Sequence, residues 1–295
     1  MNNQYENCLL CGRACGKNRR EGELGYCKMS AVPTVARAAL HAWEEPVISG
    51  THGSGTIFFS GCNLKCEFCQ NRVISHGGKG ETISVERLCE IMLELQAMGA
   101  ENVNLVTPTH FADKIAEALR SVRGKLSIPV VYNSSGYEKV ETLKMLDGLV
   151  DIYLPDYKYF SDELAVKYSS AKDYRVNAEA AILEMFRQTG EAVIEDGIMK
   201  KGIIIRHLVL PSCRRDSMAV LERIAEILPK DKILVSVMSQ YTPDFAIKAD
   251  TKHKELRRAI TSFEYSSVTE RAISLGLEGF FQEKSSATPD YTPDF

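Results

Sequence analysis

Cys62, Cys66 and Cys69 are spaced C-x3-C-x2-C inside Gly61-Cys-Asn-Leu-Lys-Cys-Glu-Phe-Cys-Gln-Asn71, directly behind the apolar run Thr56-Ile-Phe-Phe-Ser60. Thiolates hold a four-iron cluster at one cysteine per iron, so three in one loop leave an iron without a protein ligand. An open metal position is where a substrate or cosubstrate binds, unlike the closed shell of a structural site. The loop therefore predicts a reactive [4Fe–4S] cluster at the end of a buried strand. A zinc knuckle or three plain buried thiols would use the same residues without that chemistry.

A second set has a different character. Cys8, Cys11, Cys15 and Cys27 follow C-x2-C-x3-C-x11-C among Gly12, Gly16, Gly22 and Gly25. Four thiolates close a site, and binding a metal can supply the folding energy that so apolar-poor a segment lacks. Zinc and an auxiliary iron–sulfur cluster both accept this ligand set. Cys89 falls on the apolar face of a helical pattern, as an inert buried thiol would. Cys213 follows the fifth strand, nearer any site.

The elements that must position these residues are legible as alternation. Six short apolar runs, Thr56–Ser60, Asn102–Val106, Pro129–Tyr132, Asp151–Leu154, Gly202–Leu210 and Lys232–Val237, alternate with helical patterns. That is the signature of βαβ units and a parallel sheet. The clearest helix carries Val85, Leu88, Ile91, Met92, Leu95 and Met98 at helical spacing and stops at Gly99. Others are expected over Phe111–Val122, Glu138–Leu146, Ala178–Gln188 behind an Asn177 cap, and Ser217–Leu228 behind an Asp216 cap. The expected fold class is α/β, a partial (βα)6 TIM-type barrel, with residues 1–45 a cysteine-rich metal unit and connector, and 46–295 the barrel with a C-terminal tail.

Barrel enzymes keep their chemistry at the C-terminal ends of the strands, and these ends are polar. They carry Thr107-Pro-Thr109-His110, Asn133-Ser-Ser135-Gly136, Asp156-Tyr-Lys158, Arg206-His207 and Met238-Ser-Gln-Tyr241. Asp156 and Lys158, two apart in an extended segment, face the same side. Arg206, within an apolar run, needs a partner because an unpaired buried charge costs several kcal/mol, as an order of magnitude. Tyr241 either faces the substrate or caps the core. His41, Glu44 and Glu45 read as solvated connector charges, and Gly53-Ser-Gly55 as a turn, since it precedes a strand and no Gly-Lys-Ser/Thr follows.

Composition excludes several classes. The chain has 295 residues, 44% of them hydrophobic, and a formal net charge of −3, so it lacks the basic signature of sequence-independent nucleic-acid binding. No apolar run approaches a bilayer's width and no signal peptide is evident. Nine cysteines, seven in two tight sets, read as metal chemistry in a reducing cytoplasm rather than as disulfides. Tyr241-Thr-Pro-Asp-Phe245 recurs as Tyr291-Thr-Pro-Asp-Phe295, which suggests a tail that closes over the barrel mouth.

The C-x3-C-x2-C loop with Phe68 before its last cysteine resembles the signature of the radical S-adenosylmethionine (SAM) superfamily. The string Gly61–Asn71 and the N-terminal cysteines are similar to its glycyl-radical-activase-like branch of PflX type. The resemblance implies that the open iron chelates SAM, that a reduced flavodoxin or ferredoxin delivers an electron, and that a 5′-deoxyadenosyl radical abstracts hydrogen from a substrate. It implies Phe68 near the adenine, polar contacts to SAM from Thr107, Thr109, Asn133 and Ser135, and Arg206 bordering the SAM pocket. Asp156 and Lys158 are similar to the activases' Asp-x-Lys motif, which implies a glycyl-radical enzyme as substrate. Thr107–His110 stands where activases carry Gly-Gly-Glu, and that departure opens the alternative of another peptide or small molecule. A non-enzymatic iron–sulfur or zinc protein is the alternative from a different class.

Overall fold

The computed structural model describes residues 4–282, so the second Tyr-Thr-Pro-Asp-Phe lies outside the described residues. Strands in chain order are β1 (Thr34–His41), β2 (Ser54–Phe59), β3 (Glu81–Thr82), β4 (Val103–Val106), β5 (Val130–Ser134), β6 (Ile152–Pro155), β7 (Val193–Glu195), β8 (Ile198–Leu208), β9 (Leu234–Met238) and β10 (Gly279–Phe281). The sheet runs β3-β1-β2-β4-β5-β6-β8-β9-β10. Along this path from β2 to β10 every neighbour is parallel, whereas β1 pairs antiparallel with β2 and β3, and β7, off the path, pairs antiparallel with β8. The sheet does not close, which makes it the expected partial barrel.

All six expected strands are present. Thr34–His41, within the segment expected as the N-terminal unit, instead extends the sheet beyond β2. β10 adds a seventh parallel strand through only three residues, too short a run to show periodicity.

The helices are α1 (Pro46–Ser49), α2 (Arg72–Gly77), α3 (Val85–Ala97), α4 (Ala112–Val122), α5 (Val140–Lys144), α6 (Asp162–Ser169), α7 (Tyr174–Thr189), α8 (Arg214–Ile227), α9 (Pro243–Lys248) and α10 (Ser262–Ser274). Two expected caps are corrected. α7 begins before Asn177, whose carboxamide donates to the Asp173 carbonyl from inside the helix. Asp216 also lies inside its helix, where its carboxylate accepts from the Phe160 and Ser161 amides and so ties α8 to the segment after β6.

Two apolar layers hold the sheet. One face of the strands, with Ile57, Phe59, Val103, Leu105, Ile203, Ile205, Val235 and Val237, packs under the helices. Alternate residues Val131, Ile152, Leu154 and Ile204 turn the other way and meet Ile48 of α1 and Met199, filling the barrel floor. Strand alternation thus sends one set to the helices and the other inward. Near the strands' C-terminal ends the inward set becomes polar. No helix among the described residues is long and apolar enough to cross a membrane.

Candidate active site

β2 delivers the chain into the three-cysteine loop through Gly61. Its φ is +80°, and a Cβ there would stand 2.5 Å from the Cys27 carbonyl oxygen, so glycine is required both for the turn and for the approach of the N-terminal segment. Each thiol of the loop has a hydrogen-bonding neighbour. The Leu64 amide donates to Cys62 Sγ at 3.3 Å, the Ser169 hydroxyl donates to Cys66 Sγ at 2.9 Å, and Ser75 Oγ lies 3.3 Å from Cys69 Sγ. Because Ser169 Oγ donates to sulfur, the Tyr159 hydroxyl 2.7 Å away donates to Ser169. These contacts suit thiolate sulfur rather than packed, protonated thiol. Burial pushes the Cys62 thiol up to about 12, so a metal must displace its proton to use it.

All three thiols open on one cavity of about 280 Å³. Phe68, Val106, Leu208, Met238 and Phe280 supply its apolar surface, and Thr107, Asn133, Ser135, Asp156, Lys158 and Arg206 its polar surface. Glu44 and Glu45 line it as well. The connector carboxylates read as solvated are therefore inside the barrel mouth, with the Glu44 side chain only 10% exposed and Glu45 8% exposed. The sequence offered no periodic signal for this, because β1 and α1 carry the connector back over the strand ends.

The charged wall is a network. Asp156 Oδ2 takes Lys158 Nζ at 2.5 Å and Oδ1 takes Arg206 Nε at 3.1 Å. Arg206 Nη2 donates to Asn133 Oδ1 at 2.6 Å, and Nη1 reaches Glu44 Oε2 at 3.4 Å. Burial works against the Asp156 carboxylate, but Lys158 and Arg206 hold it below its usual range. Burial raises Glu44 to about 7, with Arg206 opposing. Asp156 supplies the partner that Arg206 requires, and alternation sends His207 to the other face, where Nδ1 lies 2.7 Å from the Tyr157 carbonyl oxygen.

The strand-end residues divide. Thr107 lines the cavity in a left-handed conformation, φ +58°, with its amide on the Asn133 carbonyl at 2.9 Å. A β-branched residue is strained there, and such strain clusters at ligand sites. Ser135 lines the cavity and donates to Asn63 Oδ1 at 3.0 Å. Thr109 faces elsewhere and donates to buried Glu138 at 2.5 Å. Tyr241 is also outside the lining: its hydroxyl donates to the Leu256 carbonyl and its ring stands edge-on to Phe68, centroids 6.1 Å apart. It supports the loop from behind. Ser75 and Ser169 were missed, and Ser169, 103 residues from Cys66, left no local signal.

The N-terminal segment docks on the back of the loop. Arg13 donates to the Asn63 carbonyl at 2.7 Å and the Ser169 carbonyl at 3.0 Å. Cys8, Cys11, Cys15 and Cys27 converge on a small space also lined by Arg19 and His110. Arg19, 1% exposed, donates to the carbonyls of Met29, Ser30 and His110, and its Nη1 lies 3.5 Å from Cys8 Sγ. His110 Nε2 lies 2.7 Å from the Ser60 carbonyl oxygen, so Nε2 bears the proton; buried Nδ1 keeps a lone pair and has no partner. No three His, Cys, Asp or Glu side chains among the described residues are gathered closely enough for a single metal ion. A four-iron cluster places each thiolate on a different iron, so its ligands stand wider apart than those of one ion.

An open parallel α/β barrel with a three-thiol loop after its first parallel strand defines a class, and the comparisons name it. The Radical SAM superfamily model matches residues 56–211, so this chain belongs to the radical SAM superfamily. An uncharacterised protein of Methanocaldococcus jannaschii is 32% identical over 287 residues, covering 94% of this chain and 77% of that protein. Among solved structures, Streptococcus suis SuiB bound to precursor peptide SuiA matches with a TM-score of 0.52 at 13% identity, covering 78% of this chain but only 48% of SuiB. A spore photoproduct lyase mutant matches with a TM-score of 0.52 at 8% identity, covering 75% of this chain and 74% of the lyase. These two likenesses carry the fold. Family membership implies a [4Fe–4S] cluster and SAM, and the three hydrogen-bonded thiols on one roomy cavity fit that pair.

Proposed function

We propose that the chain is a radical SAM enzyme whose cluster is held by Cys62, Cys66 and Cys69 and whose substrate enters the open barrel mouth. When bound, the cluster and SAM supply a 5′-deoxyadenosyl radical that abstracts hydrogen. The residues do the rest: Phe68, Val106 and Leu208 give an apolar wall for the adenosyl group, while Thr107, Asn133 and Ser135 offer polar contacts. Arg206, fixed by Asp156 and Asn133, presents a guanidinium toward a carboxylate. The apolar part of the cavity lining limits the access of water, which protects a reactive species. A flavodoxin- or ferredoxin-type protein supplies the electron.

The observation that carries this reading is the shared cavity, lined both by the three thiols and by the Asp156–Arg206 network. A glycyl-radical enzyme as substrate is supported by Asp156 and Lys158 standing together inside the mouth. The departure at Thr107–His110 favours a different peptide or small molecule. Adding SAM to the reduced, reconstituted protein is expected to perturb the cluster's EPR spectrum; an unchanged spectrum would favour a closed, non-enzymatic centre. In the presence of SAM and reductant, a glycyl-radical doublet on a co-encoded partner separates the two substrate readings.

The N-terminal thiols are proposed to hold a second metal centre, and of the two candidates, zinc and iron–sulfur, the wider-spaced cluster is favoured because no three of these side chains, all among the described residues, are gathered closely enough for a single ion. Arg19 supports this, since a buried guanidinium without a carboxylate partner needs anionic neighbours, and thiolates on a metal provide them. Iron, sulfide and zinc analysis of wild-type and Cys11→Ser protein assigns the metal, and equal contents would remove the centre.

A further inference from the structure

Glu44 and Glu45 are the part of the cavity that the radical chemistry above leaves without a role. The wall holds three carboxylates, Glu44, Glu45 and Asp156, against two cations, Lys158 and Arg206. Asp156 engages both cations at 2.5 and 3.1 Å, whereas Glu44 takes Arg206 Nη1 on one oxygen and Asn133 Nδ2 on the other, each at 3.4 Å. Asn104 stands close enough to favour ionised Glu44 but completes no hydrogen bond. Glu45 Oε2 is buried and has no partner. A carboxylate in that state is costly unless a ligand answers it.

The plain structural explanation for Glu45 fails. It occupies the N-cap position of α1, yet its side chain makes no capping bond. The backbone is what organises the turn: the Glu45 carbonyl accepts from Ile48 at 2.8 Å and Ser49 at 3.0 Å, and the Glu44 amide donates to Ser49 Oγ at 3.0 Å. The backbone of both residues is thus held in place while one oxygen of the Glu45 carboxylate remains buried without a partner. Beside them Trp43 contributes to the cavity edge with its side chain largely exposed, and an indole face attracts cations.

We propose that Glu44 and Glu45 seat the ammonium group of the substrate, so that the enzyme acts on an amine-bearing molecule or side chain. This rests on the radical SAM reading of the same cavity. The ammonium group meets the unpartnered Glu45 oxygen, and its alkyl stem lies along Met238 and Phe280, which line the same cavity. Arg206 remains with Asp156 and is not displaced.

SAM also carries an ammonium group, and the test separates the two sources. The reconstituted protein is titrated anaerobically with n-pentylammonium chloride and with n-pentanol in the presence of SAM. Calorimetry reads the affinity, with fluorescence of Trp43, the single tryptophan, as a second signal. The cation is expected to bind the wild-type protein at least tenfold more tightly than the alcohol, and Glu45→Gln to abolish that preference. SAM affinity should be the same in wild-type and Glu45→Gln proteins. Equal binding of cation and alcohol to the wild type overturns the proposal. So does a loss of SAM affinity in Glu45→Gln that the deaminated SAM analogue does not show, because the seat would then belong to SAM. Failure of wild-type protein to bind SAM at all would instead refute the proposed function.

Discussion

Arg206 reaches from β8 to Asp156 at the end of the neighbouring strand β6, Nε to Oδ1 at 3.1 Å, while the other oxygen of Asp156 is closed by Lys158. The pair joins β8 to the end of β6 at the point where the sheet gives only an isolated bridge between the same two residues. Replacing Arg206 by Met leaves Asp156 short of one partner and Glu44 without its cation. Breaking a buried pair from one side costs about 3–5 kcal/mol, and a urea unfolding series should show a loss of that order. A loss within about 0.5 kcal/mol, the range of ordinary surface substitutions, would mean that the network is solvated.

Thr107 invites the opposite experiment. Its φ of +58° is left-handed, where an L residue with a Cβ is penalised by roughly 1–2 kcal/mol. Thr107→Gly should relieve part of that strain and raise or preserve the melting temperature, while weakening SAM binding if the hydroxyl is a contact. A marked fall in melting temperature would show that the Thr107 side chain stabilises the turn.

Ser169 is expected to tune the cluster. Its hydroxyl donates to Cys66 Sγ and receives one from Tyr159, and hydrogen bonds to sulfur favour the more negative, reduced cluster. Ser169→Ala should therefore make the reduction potential more negative, with a smaller change in the same direction for Tyr159→Phe. Unchanged potentials in redox titrations would place Ser169 outside the cluster's influence.

Acid should weaken the fold through His207. Burial lowers it to about 4, the Tyr157 carbonyl opposing, whereas an unfolded histidine titrates near about 6.5. The neutral form is thus favoured in the folded chain, so its contribution is complete above about pH 6.5 and is lost as pH falls toward about 4. His207→Gln should flatten this part of the stability curve. An identical slope in both proteins would assign the acid sensitivity elsewhere.

Six of the seven parallel strands were legible because each is a short apolar run bounded by turn residues, and the cluster loop because its spacing is local. The residues that complete the cavity were not. Glu44 and Glu45 precede a four-residue helix in a connector without period, and only the path of β1 beside β2 brings them over the mouth. Ser169 meets Cys66 through the end of α6. Thr109 and Tyr241 show the converse, since being near a strand end did not decide which way either side chain turned. Thr109 bonds Glu138, and Tyr241 backs Phe68.

The central claim is that Cys62, Cys66 and Cys69 hold a cluster that cleaves SAM in this cavity. Anaerobically reconstituted protein, given SAM and dithionite, is predicted to form 5′-deoxyadenosine, and Cys66→Ala protein to form none above the enzyme-free control. Equal product from the two proteins, or none from the wild type with its cluster intact, would contradict the account.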